Sequence, residues 1–106
     1  MVHIIESFLA QQAPFDEDGN NCRDFTRGLI GALDEGGYDS EILAVSGILE
    51  NGEKWVHEVV ITNTEPPYVI EPQTGQTWLE PDAEVYFAST YKLRNVITVA
   101  LGKYLR

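Results

Sequence analysis

The chain has 106 residues, of which 43% are hydrophobic and 23% charged, and its formal net charge is −10 at pH 7. This length predicts a single domain, residues 1–106, with a core of its own, and the composition excludes disordered and fibrous proteins. No apolar run approaches the roughly 18 residues of a membrane span. Seven basic residues against 17 acidic ones argue against direct binding to nucleic acid or to an anionic membrane surface.

The amino-terminal segment has no basic region ahead of an apolar stretch and no small-residue cleavage site, so we expect no signal peptide and a cytoplasmic location. Cys22 is the single cysteine, which excludes an intramolecular disulfide framework and a CxxC motif. We find neither the ligand spacing of a zinc site nor a glycine-rich nucleotide motif, and we expect no metal and no cofactor. The acidity favours solubility or, alternatively, an acidic surface that meets a basic partner.

Apolar residues at helical spacing predict two helices in the first third of the chain, one within residues 2–12 and one over Cys22–Leu33. The segment between them, PFDEDGNN, is rich in residues that favour turns. Its last two residues are asparagines, which can cap the second helix, and Gly36 and Gly37 can end that helix.

From Glu41 onward the hydrophobic pattern becomes that of extended strands. The runs EILAVSGILE and EKWVHEVVIT predict two strands joined by a tight turn at Asn51-Gly52, a pairing that places Ser46 opposite His57. Three further runs, PYVIEP, EVYFAS and NVITVALGKYL, are expected to add strands, although the last could be partly helical. The predicted class is α+β, with amino-terminal helices packed on a mainly antiparallel β-sheet.

The position of Cys22 gives it two interpretations. It lies at the start of a predicted helix, where unpaired amides and the positive end of the helix dipole favour a thiolate over a thiol. Alternatively, Cys22 is a small apolar member of the helix stripe that continues through Phe25 and Leu29. The residues around it decide between a reactive and a structural cysteine.

A histidine and a carboxylate follow Cys22 on successive predicted strands. His57 shares one face of its strand with Trp55, and a following loop centred on Thr64 would place Glu71 directly opposite His57. A register shift of two residues would leave them diagonal neighbours. A carboxylate there can accept a hydrogen bond from the imidazole, which is the arrangement that activates a thiol nucleophile. The alternatives are a hydrogen-bonded core histidine and a solvated glutamate.

These residues also carry a family resemblance. The segments NNCRDFTRGLIGALDEGGYDSEILAVSG and HEVVITNTEPPYVIEPQTG resemble the core of transglutaminase-like and papain-like thiol proteins, over about half of the chain. In those families a cysteine opens a helix that packs on an antiparallel sheet, and a histidine and an acid or amide come from the next strands. The resemblance implies that Cys22 is the nucleophile, His57 the general base and Glu71 the orienting carboxylate.

The resemblance implies an enzyme that transfers acyl groups from a peptide or protein amide, as a cysteine peptidase, a deamidase or a transglutaminase. No glutamine stands close before the cysteine, so an amide of Asn20 or Asn21, or the cysteine backbone N–H, would hold the oxyanion. Trp55 could line a substrate groove or belong to the core. The alternative function is a small acidic binding protein, of the immunity or inhibitor type, that meets a basic partner through carboxylates such as those of residues 16–18.

Overall fold

The structure, a computed structural model, describes residues 1–12 and 22–103, and for Cys22 it describes the backbone only. The elements in chain order are α1 (Val2–Gln11), α2 (Cys22–Glu35), β1 (Ser40–Ile48), β2 (Lys54–Thr62), β3 (Tyr68–Ile70), β4 (Thr77–Leu79), α3 (Glu80–Thr90) and β5 (Arg94–Gly102). The predicted α+β class and both amino-terminal helices are confirmed.

The described strands form one antiparallel sheet in the order β4-β3-β2-β1-β5. Helices α1 and α2 cover one face, named here the α2 face, with a core of Ile5, Leu29, Ile30, Leu33, Ile42, Val60 and Ile70. Helix α3 covers the opposite face, the α3 face, with a core of Leu43, Val45, Val59, Ile61, Val69, Ala83 and Phe87. Because side chains alternate along a strand, each side chain of β2 lies either on the α2 face or on the α3 face.

The predicted register of the first hairpin is wrong by one residue. Val45, not Ser46, lies opposite His57. The loop has three residues rather than two: the Leu49 N–H donates to the Glu53 carbonyl at 2.8 Å, and Gly52 takes a positive φ of 87°. A left-handed glycine in the last position is typical of three-residue hairpin loops. The centre of a three-residue loop is its middle residue, whereas the centre of a two-residue loop lies between its two residues, and this difference shifts the register by one.

The run EVYFAS, predicted as a strand, belongs to helix α3. Pro81 stands in the first turn of this helix, where its missing N–H costs nothing, and two acidic residues, Glu80 and Asp82, complement the helix dipole there. Ala83 and Phe87, four residues apart, are the buried residues of α3. That spacing fits a helix, whereas a short apolar run alone does not distinguish a helix from a strand.

Helix α2 ends in a glycine motif, as the sequence predicts. The Tyr38 N–H donates to the Leu33 carbonyl at 2.8 Å, and the Gly37 N–H donates to the Asp34 carbonyl at 3.0 Å. Gly37 takes a φ of 87°. This pair of bonds with a left-handed residue is the Schellman motif, which satisfies the last carbonyls of the helix.

We expect the two substitutions Gly37→Ala and Gly31→Ala to have opposite effects on stability. Gly37→Ala should lower the free energy of unfolding by about 1–2 kcal/mol, because a side chain is strained at positive φ. Gly31 lies inside α2, and an added Cβ there meets no atom within 4 Å. Gly31→Ala should therefore raise stability by about 0.5–1 kcal/mol. Urea denaturation measures both, and equal values for both variants would contradict the assignment.

Candidate functional site

The structure brings His57 and Glu71 into contact. Their Nε2 and Oε1 atoms are 2.6 Å apart, and the two side chains are 15% and 14% exposed. The register between β2 and β3 differs from the predicted one by two residues, since Val60 lies opposite Ile70. His57 and Glu71 are thus diagonal rather than direct neighbours, and the hydrogen bond spans the diagonal.

The loop between β2 and β3 explains this shift. The Tyr68 N–H donates to the Thr62 hydroxyl oxygen at 2.9 Å, which closes a five-residue connection centred on Glu65 instead of Thr64. Glu71 follows the last residue of β3, and its backbone N–H donates to the Gln76 carbonyl at 2.8 Å. The carboxylate is therefore held by the turn that joins β3 to β4.

Aromatic rings enclose the imidazole on the α3 face. The His57 ring centroid lies 5.7 Å from that of Trp55 and 5.9 Å from that of Phe87. Trp55 also stacks on Tyr91, with ring centroids 4.7 Å apart and an interplanar angle of 29°. These rings exclude water from one side of the histidine, and a hydrogen bond is electrostatically stronger in such an environment.

The two oxygens of the Glu71 carboxylate differ in their hydrogen bonding. Glu71 Oε2 is buried and has no hydrogen-bond partner among the described residues. Purely structural carboxylates seldom leave a buried oxygen unpaired, because desolvation without a hydrogen bond is costly.

Tyr91 lies next to this pair and stays protonated at neutral pH. Burial first, and then the negative charges of Tyr86 and Glu71, raise the pKa of the Tyr91 hydroxyl. Phe87 and Tyr91 are not among the predicted site residues: Phe87 lies in the run EVYFAS, predicted as a strand, and Tyr91 follows that run. Ala83, Phe87 and Tyr91 follow one another at intervals of four residues, and this is the signal that could have placed them on one helix face.

Helix α2, which begins at Cys22, is anchored to β2 at the residue after His57. The Thr26 hydroxyl donates to the Glu58 carbonyl at 3.3 Å, and Arg23 Nε lies 3.5 Å from Glu58 Oε1. However, α2 packs on the α2 face, whereas the His57 ring lies on the α3 face. The structure brings His57 and Glu71 together and places the start of α2 beside the same strand, on its other face.

Some predicted site residues lie outside the described part of the chain. These are the candidate oxyanion residues Asn20 and Asn21 and the acidic residues 16–18, together with the side chain of Cys22. Trp55 is described and stands beside the imidazole. Within the described residues, no three His, Cys, Asp or Glu side chains are grouped as a metal ion would require.

Comparisons with known proteins give no match, either among protein-family models or among curated proteins. Among the described helices, none is long and apolar enough to cross a membrane.

We expect the His57–Glu71 pair to contribute to stability as a coupled unit. His57→Ala and Glu71→Ala should each lower the free energy of unfolding by about 1–3 kcal/mol, since each leaves a buried polar partner unpaired. The double variant should lose less than the two single losses combined, with a coupling energy of about 1–2 kcal/mol. Urea denaturation of the four proteins measures this coupling.

His3, an exposed histidine on α1, provides the control. A double-mutant cycle of His3→Ala and Glu71→Ala should show a coupling energy below about 0.5 kcal/mol in the free energy of unfolding. Equal coupling in both cycles would show that the His57–Glu71 bond adds nothing to stability.

Proposed function

We propose that the protein transfers acyl groups from peptide or protein amides through a Cys22 thiolate, with His57 as general base and Glu71 as the residue that orients it. The single observation that carries the proposal is the 2.6 Å hydrogen bond between His57 and Glu71. It joins the two residues that follow the helix-start cysteine in the order resembling papain-like and transglutaminase-like proteins. A positioned imidazole–carboxylate pair is what a thiol nucleophile needs.

The hydrogen bond decides which imidazole nitrogen would react. Glu71 engages Nε2 and fixes the plane of the ring, so Nδ1 is the atom that would take the Cys22 proton. The thiolate would then attack the amide carbonyl carbon, and the C–N bond would break as the imidazolium returns its proton to the leaving amine. The resulting thioester would be resolved by water, giving hydrolysis or deamidation, or by a second amine, giving transamidation.

The proposal requires the thiol and the imidazole to meet around an edge of β2. In the described part of the chain, β3 pairs with β2 only at Val60 and Ile61, so β2 has no strand neighbour on that side from Lys54 to Glu58. The first turn of α2 is bound to Glu58, within this stretch. Side chains from the two faces of the sheet can approach each other there, because no further strand separates them.

We expect iodoacetamide to alkylate Cys22 rapidly at about pH 6, well below the ordinary thiol pKa of about 8.5, because imidazolium and the helix start both stabilise a thiolate. The rate at this pH should fall at least about tenfold in His57→Ala and stay unchanged in His3→Ala, which removes an exposed histidine of α1. Mass spectrometry of the labelled protein over a pH series gives the rates.

Slow alkylation of the wild type at about pH 6, or equal rates in wild type and His57→Ala, would contradict the thiolate–imidazolium pair. Such a result would favour the acidic binding protein instead. In that case affinity for a basic partner would fall with added salt and would survive loss of Cys22.

We expect activity on unfolded casein to depend on the thiol. Peptide fragments, released ammonia and incorporation of a labelled primary amine distinguish peptidase, deamidase and transglutaminase chemistry. Whichever product forms should be lost in Cys22→Ala, since no nucleophile remains to form the thioester. Cys22→Ala should keep the wild-type Tm, and product formed at an unchanged rate by this variant would refute the proposed role of Cys22.

A further inference from the structure

In the described part of the chain, strand β5 forms one edge of the sheet. Among the described strands it pairs only with β1, and it is nine residues long. It contains no proline, and Arg94, its first residue, is its only charged residue. Proteins usually protect a sheet edge with charges, proline, β-bulges or a short strand, because exposed backbone N–H and C=O groups recruit another strand. The register of β5 against β1 shifts near each end of the strand, and the stretch of residues 97–100 between these shifts pairs regularly.

Exposed apolar side chains lie on the sheet next to this edge. Ile97 and Val99 are 58% and 49% exposed, and they lie beside Ser46 and Ala44 of β1. Val56 of β2, opposite Ser46, is 56% exposed. These three side chains share the α2 face and form one stripe across adjacent strands, the kind of apolar surface that marks an interaction site.

Charge is distributed unevenly along the edge. No acidic residue occurs from Arg94 to Lys103, although the whole chain carries a net charge of −10. The carboxyl end of β5, in contrast, lies beside an acidic residue: Glu41 accepts a hydrogen bond from the Gly102 N–H at 3.2 Å. Lys103 there is already bound to Asp39 at 2.7 Å and Asp34 at 3.1 Å, which raises its pKa to about 12. One end of the edge is therefore cationic and the other net acidic.

We infer that two copies of this chain dimerise by antiparallel pairing of β5 with β5 of the second copy, around a two-fold axis at Thr98. The inference is independent of the proposed catalytic function. Its occupant is a second copy because the edge is self-complementary: the cationic end of one strand meets the acidic end of the other, and on the α2 face Ile97 and Val99 meet the same side chains of the second copy. On the α3 face the Thr98 hydroxyl donates to Glu84 Oε1 of its own copy at 3.1 Å.

Symmetry limits the register of this pairing. A two-fold axis perpendicular to the sheet keeps every side chain on its own face, so a residue opposes either itself or a residue an even number of positions away. Thr98 is the middle residue of β5. Centring the axis there places Ile97 opposite Val99 of the second copy, within the regularly paired part of β5, and brings the Arg94 end of one strand towards the Glu41 end of the other.

Sedimentation equilibrium over micromolar to millimolar concentration tests the inference. The wild type should show a reversible monomer–dimer equilibrium within this range. Val99→Lys should raise the Kd at least about tenfold, since it places two cations in an apolar contact. Val2→Lys is the matched control: Val2 is 66% exposed and lies near Gly75, towards the other edge of the sheet, and its Kd should match the wild type.

Cross-linking tests the register even if Val99→Lys alters folding. In a Cys22→Ser background, Thr98→Cys should form a disulfide-linked dimer on oxidation, because opposed residues of antiparallel strands have Cα atoms about 4.5–5.5 Å apart. Val85→Cys, on an exposed position of α3, should stay monomeric under the same conditions. A wild type that is monomeric at every concentration, or equal cross-linking of both variants, would overturn the inference.

Discussion

The pairing of β1 with β2 is the constraint on which the rest of the molecule depends. β2 has neighbours on both sides, and its residues alternate between the core under α2 and the core under α3. A shift by one residue would turn one strand over relative to the other and exchange the two faces. The three-residue loop closed by Gly52 sets this register. It thereby sends His57 towards the aromatic rings of α3 and Glu58 towards the first turn of α2.

The same periodicity explains how much of the site could be predicted from the sequence. The predicted register of β3 differs from the observed one by two residues. A difference of two keeps every side chain on its face, so the predicted contact between His57 and Glu71 is present. The predicted register of the first hairpin differs from the observed one by one residue, which changes the face, so Val45 and not Ser46 lies opposite His57. Local turn geometry decided both cases, and an Asn-Gly pair does not by itself distinguish a two-residue loop from a three-residue one.

Two features depend on contacts between distant parts of the chain and could not be read from local patterns. The sequence predicts a strand at α3 because a short apolar run fits either a strand or a helix. In the structure the segment is helical, and Ala83 and Phe87 are buried in the core together with Trp55 and Trp78. The placement of α2 on the face opposite the imidazole follows from packing of Leu29 and Leu33 on the sheet. The position of Cys22 at the start of a helix does not determine which face of β2 that helix covers.

The sheet order also bears on how the chain acquires its structure. β5 is the last described element, yet it pairs with β1 rather than with a strand near it in sequence. Contacts this distant in sequence form slowly, because a long loop must close before they contribute any free energy. During synthesis, α2 and the first hairpin emerge well before β5, and until then the outer side of β1 is exposed. The chain thus passes through a stage in which a central strand is an edge, when a chaperone or a neighbouring nascent chain has its best access to the sheet.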